Sequence, residues 1–284
     1  MFRIHKIFDV TTPTNRQLLS QVQAMLRVQF HALNESDIAK LPAQLANPMK
    51  YRFRSILLVA ENGNATVRGF AMLMHAPDLH FCYLDYICAG RGETGRGIGG
   101  ALYERVREEA FQLGVVGIFL ECLPDDPALS PDPTIRKQNA ARLKFYERFG
   151  ARPLANTAYE TPLIEGATDP PYLVFDNLGQ KPELSRDDAR NIVRAVLERK
   201  YANVCPPEYV DKIVKSIKDN PVKLREPRYS KKNESPVGYR PKQRRIALII
   251  NDGHSIHHVN DRGYVEAPVR ISSITKELED PVFR

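Results

Sequence analysis

Gly90-Arg91-Gly92-Glu93-Thr94-Gly95-Arg96-Gly97-Ile98-Gly99-Gly100 is the stretch on which the reading of this chain turns. Six of its eleven residues are glycine, and apolar Ile98, Leu102, Val106, Ala110 and Leu113 follow at helical spacing. The glycines therefore open a helix. Lacking a Cβ, they let the backbone approach a ligand closely, and the free amides of a first helical turn favour an anion such as phosphate. A purely structural turn is the alternative, at the entropic cost of many glycines with no ligand to offset it. Two phosphate motifs do not fit. No Gly-Lys-Ser/Thr ending is present, and the stretch follows three strands in series instead of opening a βαβ repeat. Glu121, about 22 residues beyond Gly99, does match the spacing of a dinucleotide fold's acidic residue.

Working outward, residues 3–10 read as a strand and 15–33 as an amphipathic helix after N-cap candidates Thr11, Thr12 and Thr14. Ser36 is placed to cap a second short helix that ends near Pro48. Strands at 55–61 and 66–75 are joined across Asn62-Gly63-Asn64, a hairpin signal, and a third strand spans 80–89. Beyond the glycine helix, 115–121 is a short apolar strand buried on both faces, and 135–149 a helix stopped at Gly150. Extended segments at 152–163 and 172–177 close the unit. The expected fold is α/β: a mixed central sheet, antiparallel at its N-terminal side, flanked by helices.

Composition narrows the class. The chain has 284 residues, 43% hydrophobic and 26% charged, which excludes wholesale disorder. Apolar runs such as 246–250 hold five residues, against roughly 18 for a membrane span. No apolar signal region opens the sequence, so a cytoplasmic protein with no membrane partner is expected. Four scattered cysteines (Cys82, Cys88, Cys122 and Cys205) form no CxxC pair and read as reduced thiols. Of the net charge of +7, residues 181–245 carry 18 Lys and Arg against nine Asp and Glu. That basic excess suits either a solvated helical surface with a linker or contact with nucleic acid.

The glycine stretch, with Ile87 before it and Ala101-Leu102-Tyr103 after it, resembles the pyrophosphate loop of the GNAT acetyltransferase superfamily. That family's pattern is Arg/Gln-x-x-Gly-x-Gly/Ala at the start of its central helix. Gly97 and Gly99 match its glycines, while Thr94 stands at the Arg/Gln position, with Arg91 or Arg96 available as substitutes. A second segment, Asn139-Ala140-Ala141-Arg142-Leu143-Lys144-Phe145-Tyr146-Glu147-Arg148-Phe149-Gly150, is similar to the family's Asn…Tyr-Glu-x-x-Gly-Phe helix, with Ala151 for the final Phe. The resemblance covers residues 3–177 in element order and implies a GNAT-like domain over 1–178.

For function the resemblance implies acetyl-CoA as co-substrate and direct attack by an acceptor amine on its thioester, with no metal. Ile87, Cys88 and Ala89 would pair with the pantetheine arm beside a strand partner that splays away. Thr94, Gly95, Arg96, Gly97, Ile98, Gly99 and Gly100 would take the pyrophosphate, and Asn139 matches a cofactor-contacting residue. Tyr146 would protonate the departing thiolate, work suited to a phenol beside the sulfur; a core aromatic with a satisfied hydroxyl is the alternative. The amine must also lose a proton, for which Asp85 and Glu121 are candidates on the strands flanking the cleft. Cys88 and Cys122 lack a local base and read as buried thiols. Acidic Asp125, Asp126 and Asp132 in the 124–133 loop read as solvated turn residues.

Past Gly179 the composition shifts. Residues 185–201 and 207–218 read as amphipathic helices, the first N-capped by Ser185, and 221–245 as a Pro/Lys/Arg-rich linker, giving a basic segment over 179–245. His254, His257 and His258 lie near Asp252 and Asp261 without the fixed geometry of a zinc site. The stretch 246–284, with Tyr264, Glu266, Pro268 and Arg270, resembles the opening of histone-deacetylase-like domains and stops before that family's metal ligands. It hints at a deacetylase partner module and at lysine or polyamine acceptors. Two other readings stay open: a non-catalytic CoA-binding sensor, and a nucleic-acid-associated adaptor built on the basic segment.

Overall fold

The computed structural model describes residues 2–30, 33–90, 92, 97–163, 169–180, 183–230 and 276. Thr94, Gly95, Arg96 and the alternative Arg91 lie outside the described residues. So do the histidine group and, apart from Lys276, the deacetylase-like segment. Residues up to 230 belong to a single packed unit.

Among the described residues, seven strands form one sheet in the order β1-β2-β3-β4-β5-β7-β6, in which β4 and β5 are the parallel pair. The strands are β1 (Arg3–Ile7), β2 (Arg54–Glu61), β3 (Val67–Ala76), β4 (Phe81–Ala89), β5 (Ile118–Cys122), β6 (Arg152–Pro153) and β7 (Tyr172–Asp176). The β2–β3 hairpin forms where expected. Asn62 Oδ1 accepts the amides of Asn64 and Thr66, and the left-handed residue is Ala65 (φ 54°) instead of Gly63. The strand expected at 152–163 shrinks to two residues plus a single bridge from Leu154 to Leu224.

Helix α1 (Pro13–Gln29) is N-capped by Thr12, whose side chain accepts the Asn15 amide. The single helix expected before Pro48 is instead three short ones, α2 (Glu35–Ala39), α3 (Leu41–Ala46) and α4 (Pro48–Tyr51). Its cap position falls on Asn34, not Ser36, and prolines at Pro42 and Pro48 start α3 and α4 afresh. Helices α5 (Ile98–Gln112) and α6 (Pro133–Glu147) cover one sheet face with Ile98, Leu102, Tyr103, Val106, Leu143 and Tyr146. Gly69 of β3 permits that close fit: a Cβ there would meet Cys88 O at 2.8 Å and the side chains of Ile98 and Leu102 at 3.0 and 3.1 Å. Helix α5 is further pinned by a buried ion pair, Arg107 Nε to Asp176 Oδ2 at 2.8 Å, with the Tyr103 hydroxyl donating to the same carboxylate.

The opposite face carries α1–α3 on one half and α7 (Arg186–Ala195) with α8 (Pro207–Ser216) on the other. Ser185 caps α7 as expected, accepting the Asp188 amide. A π turn, Val196–Lys200, extends α7. Ile192, Val193, Val196, Leu197, Val210 and Ile213 bury against Phe81, Tyr83, Phe119 and Phe175. At about 1.5–3 kcal/mol for each fully buried aliphatic, this contact outweighs any repulsion among the basic residues on the outer side. Residues 185–217 of the basic stretch are therefore an integral layer of the fold. Residues 222–230, expected as linker, continue as a strap. The Arg225 amide donates to Pro153 O, and Glu147 accepts the amides of Arg228, Tyr229 and Ser230.

Candidate active site

The β4–β5 ladder runs from Cys82↔Ile118 to Leu84↔Leu120 and ends there. Beyond it, Ile87 to Ala89 continue against β3, while Glu121 and Cys122 continue against β7. The strands part, as expected from the resemblance, and a gap opens in the middle of the sheet. Asp85 marks the spot. The register against β3 shifts between Met72↔Tyr86 and Leu73↔Leu84, so Asp85 is the extra residue of a bulge, a device that re-aims side chains.

A half-open cleft of ≈ 960 Å³ occupies the end of β4 and the start of α5. It is lined by Ile87, Cys88, Ala89, Gly97, Gly99 and Gly100 together with Tyr146. Seven residues singled out in the sequence thus meet in one cavity. Gly97 is the N-cap of α5 with φ 80°, a backbone conformation that L side chains rarely adopt. Gly99 and Gly100 differ: among the described residues no atom outside their own helical turn lies within 4 Å of an added Cβ at either, and neither has a positive φ. No described contact requires glycine at these two positions, although glycine costs about 1 kcal/mol relative to Ala inside a helix. What they keep open is the cleft. Arg142 and Arg148 of the α6 region stand on the wall across from the α5 N-terminus and add positive charge.

Tyr146 is buried among Tyr103, Phe145 and the cleft, with ring centroids 5.0 and 5.1 Å away. Burial pushes its phenol well above the ordinary value, so it stays protonated. Among the described residues no hydrogen bond to its hydroxyl is found. Burial likewise pushes the thiols of Cys88 and Cys122 up to about 12, which keeps them protonated and poor nucleophiles.

Four expected site residues sit elsewhere. Ile98 is buried in the core beneath α5, leaving only its backbone to a ligand. Asn139 is buried and donates from Nδ2 to Pro124 O at 2.9 Å, holding the loop after β5 instead of lining the cleft. Glu121 faces a second cavity of ≈ 310 Å³ on the α7–α8 side, and its two oxygens accept the hydroxyls of Tyr159 (2.6 Å) and Tyr201 (2.5 Å). Asp85 pairs with Lys200 on that same side. Asp125, expected as a solvated turn acid, is buried beneath Arg225, Arg228 and Tyr229, all of which bind it.

Sequence reasoning missed Gln29, Arg142, Arg148 and Lys200. The two arginines lie inside the quoted 139–150 segment, Arg142 at helical spacing from Phe145 and Tyr146, so that segment held their signal. Gln29, which donates to Ala89 O at 3.0 Å, and Lys200 are brought in only by tertiary packing.

An α/β domain whose central parallel strands part beside a glycine-opened helix is the arrangement that the GNAT resemblance implies. The sequence model described as "Acetyltransferase (GNAT) family" matches residues 22–130, so this stretch is similar to a GNAT acetyltransferase domain. The match stops before α6. No curated protein sequence matches the chain. Among solved structures, Tetrahymena GCN5 is similar at 10% identity, covering 61% of this chain and 96% of that one with a TM-score of 0.44. An aminoglycoside 6'-acetyltransferase type Ii is similar at 17% identity, covering 63% and 99% with a TM-score of 0.46. A PaiA N-acetyltransferase from Thermoplasma acidophilum, solved with coenzyme A, is similar at 13% identity, covering 62% and 99% with a TM-score of 0.40. Among the described residues no His, Cys, Asp and Glu cluster suited to a metal is found, and no helix is long and apolar enough to cross a membrane.

Proposed function

We propose that the chain transfers an acetyl group from acetyl-CoA to a primary amine by direct attack. The observation that carries this reading is the pair Gly99 and Gly100. They line the cleft and, among the described residues, no atom outside their own helical turn lies within 4 Å of their missing Cβ positions, at the amide-rich start of a 15-residue helix. Those amides, with Arg142 and Arg148 opposite, suit a diphosphate. The edge of β4 from Asp85 to Ala89, which no strand pairs on the β5 side among the described residues, suits an extended amide-bearing arm. When bound, acetyl-CoA supplies the thioester. The protein then positions it, excludes water with Tyr103, Phe145 and Phe149, and offers the neutral Tyr146 hydroxyl as the proton source for the leaving sulfur. Asp85, on the other side of the gap, is the better placed proton acceptor, because both oxygens of Glu121 are already engaged by tyrosine hydroxyls.

Lysine side chains of proteins, polyamines and other small amines are the acceptor class this reading names. The basic segment gives little support to a nucleic-acid role. Among its described residues, Arg194 pairs with Glu198 and Asp211, Arg199 with Asp78, and Arg225 and Arg228 with Asp125, so these four cations are engaged within the fold. One observation favours a CoA-binding sensor instead: both candidate bases already have partners in the free protein. Titration calorimetry with acetyl-CoA, followed by a thiol-release screen over a panel of amines on the intact chain, separates the readings. Binding with turnover supports the transferase, binding with none across the panel supports the sensor, and no heat of binding overturns both.

A further inference from the structure

Lys200 ends the π turn after α7 and reaches into the sheet at the place where β4 and β5 part. Its Nζ bonds the Asp85 carboxylate, and both side chains are largely buried, 17% and 7% exposed. Three tyrosines surround the same nitrogen, with the rings of Tyr83, Tyr86 and Tyr201 centred 5.1, 5.6 and 5.1 Å away. A carboxylate in a ring of aromatic faces is the chemistry that recognises an alkylammonium ion. The chain has placed one of its own there.

The location gives that amine a consequence. Asp85 is the first residue beyond the last β4–β5 pair, and Ile87, two residues on and roughly 7 Å along an extended strand, already lines the large cleft. The large cleft also contains Tyr146, from the α5–α6 side of the sheet. Lys200 stands on the α7–α8 side of the same gap, with a proton acceptor bonded to it. On the acetyl-transfer reading, an acceptor amine approaches a thioester seated in the cleft from across the gap, the side on which Lys200 stands.

We propose that Lys200 is a self-acylation site, its amine taking the acceptor position of its own chain; this rests on the acetyl-transfer reading above. Asp85 takes one proton from the Lys200 ammonium, and the freed nitrogen lone pair attacks the thioester carbonyl carbon. A C–N bond forms and the C–S bond breaks, its electron pair leaving on sulfur. Tyr146 protonates that sulfur to the thiol and is itself reprotonated from solvent. The nitrogen loses its second proton to solvent as the amide forms. The net change is ammonium plus acyl thioester to amide, free thiol and one proton. Asp85 then gives its proton to solvent, which is the proton of the net change; acylation has removed the positive charge that paired with it and leaves the carboxylate free for an incoming amine.

The test uses the intact chain. It is incubated with acetyl-CoA, sampled over time, digested and mapped by mass spectrometry, with calorimetry of acetyl-CoA in parallel. Lys200 is expected to gain an acetyl group at least about tenfold faster than Lys215, which is 80% exposed, because it is held in place. The rate is expected to be independent of protein concentration, and Asp85→Asn to slow it by at least about tenfold. A second readout needs no thioester: an amine-reactive reagent is expected to label Lys200 more slowly than Lys215 in the free protein, a difference that Asp85→Asn reduces. Acetylation of Lys200 no faster than Lys215, a rate that rises with protein concentration, or equal labelling of the two in the free protein overturns the proposal. Turnover of an added amine with Lys200 left unmodified overturns it alone. Failure of acetyl-CoA to bind overturns the parent reading as well, and calorimetry tells the two failures apart.

Discussion

Leu84 faces Leu120 as the last register pair between the two parallel strands, and the next residue, Asp85, is the bulge of β4. The chemistry assigned to this domain is arranged around that interruption. On one side of the gap lie the glycine-opened helix and Tyr146, and on the other lie Asp85, Lys200 and the tyrosines around them.

Replacing Gly99 by Leu separates a ligand site from a structural turn. Among the described residues the new Cβ meets no atom within 4 Å outside its own helical turn, and the change replaces a poor helix former by a good one. Thermal unfolding is expected to hold or rise slightly, while acetyl-CoA affinity in calorimetry falls by at least about tenfold, or about 1.4 kcal/mol. A variant that binds as the parent does would show that the cleft is not the phosphate site. Gly97 is the wrong place for this test, because its φ of 80° strains any side chain.

Tyr146→Phe is expected to lower kcat by about 10²–10⁴-fold, with KM for acetyl-CoA changed only a few-fold. Because burial raises the phenol's pKa, its neutral form persists across the working range, and the parent enzyme is expected to show no alkaline decline from this residue below about pH 10. A pH–rate profile checks both statements. An alkaline limb near pH 8 that disappears in the Phe variant contradicts the assignment.

The Arg107–Asp176 pair is 2% and 0% exposed, and Asp176 also accepts the Tyr103 hydroxyl and the Leu178 amide. Asp176→Ala leaves a guanidinium buried without its counter-charge. About 3–5 kcal/mol of stability is expected to be lost, seen as a lower denaturant midpoint in urea. Replacing both partners together by apolar residues is expected to cost less than the single change, and a double-mutant cycle measures the difference.

Acid is expected to release the strap. Burial pushes the Glu147 carboxyl up, but the amides of Ser230, Arg228 and Tyr229 outweigh it and hold its pKa below the usual range; Asp125 is lowered in the same direction, its burial outweighed by Tyr229 and Arg225. A depressed carboxylate stabilises the fold above its unfolded pKa, about 4, and that contribution is lost as pH falls through the lower folded value. Hydrogen-exchange protection of the Tyr229 and Ser230 amides is expected to be full at pH 6 and to fall below about pH 4. Glu147→Leu is expected to remove it at either pH.

Much of the cleft could be read in advance because its parts are local. Glycine before a helix, the Asn62-Gly63 hairpin and the 3.6-residue stripe of α5 act over a few residues, so their signals are contiguous in the chain. Tyr146 was legible for the same reason, as part of a helix whose pattern spans twelve residues. The readings that needed revision depended on distant partners. Asn139 turned out to hold Pro124, and Asp125, which looked like a solvated turn acid, was buried by residues 100 or more positions away.

The sequence by itself determined the element order, the helix-opening glycines and the residues of one cleft wall, because backbone preference and apolar periodicity are set by near neighbours. Only the tertiary structure decided that β4 and β5 part after Leu84, that α7 and α8 form a layer of the core, and that Lys200 meets Asp85 across 115 residues. Register shifts and ion pairs of that kind depend on which surfaces pack together. That is a property of the whole buried core, and no short stretch of the chain encodes it.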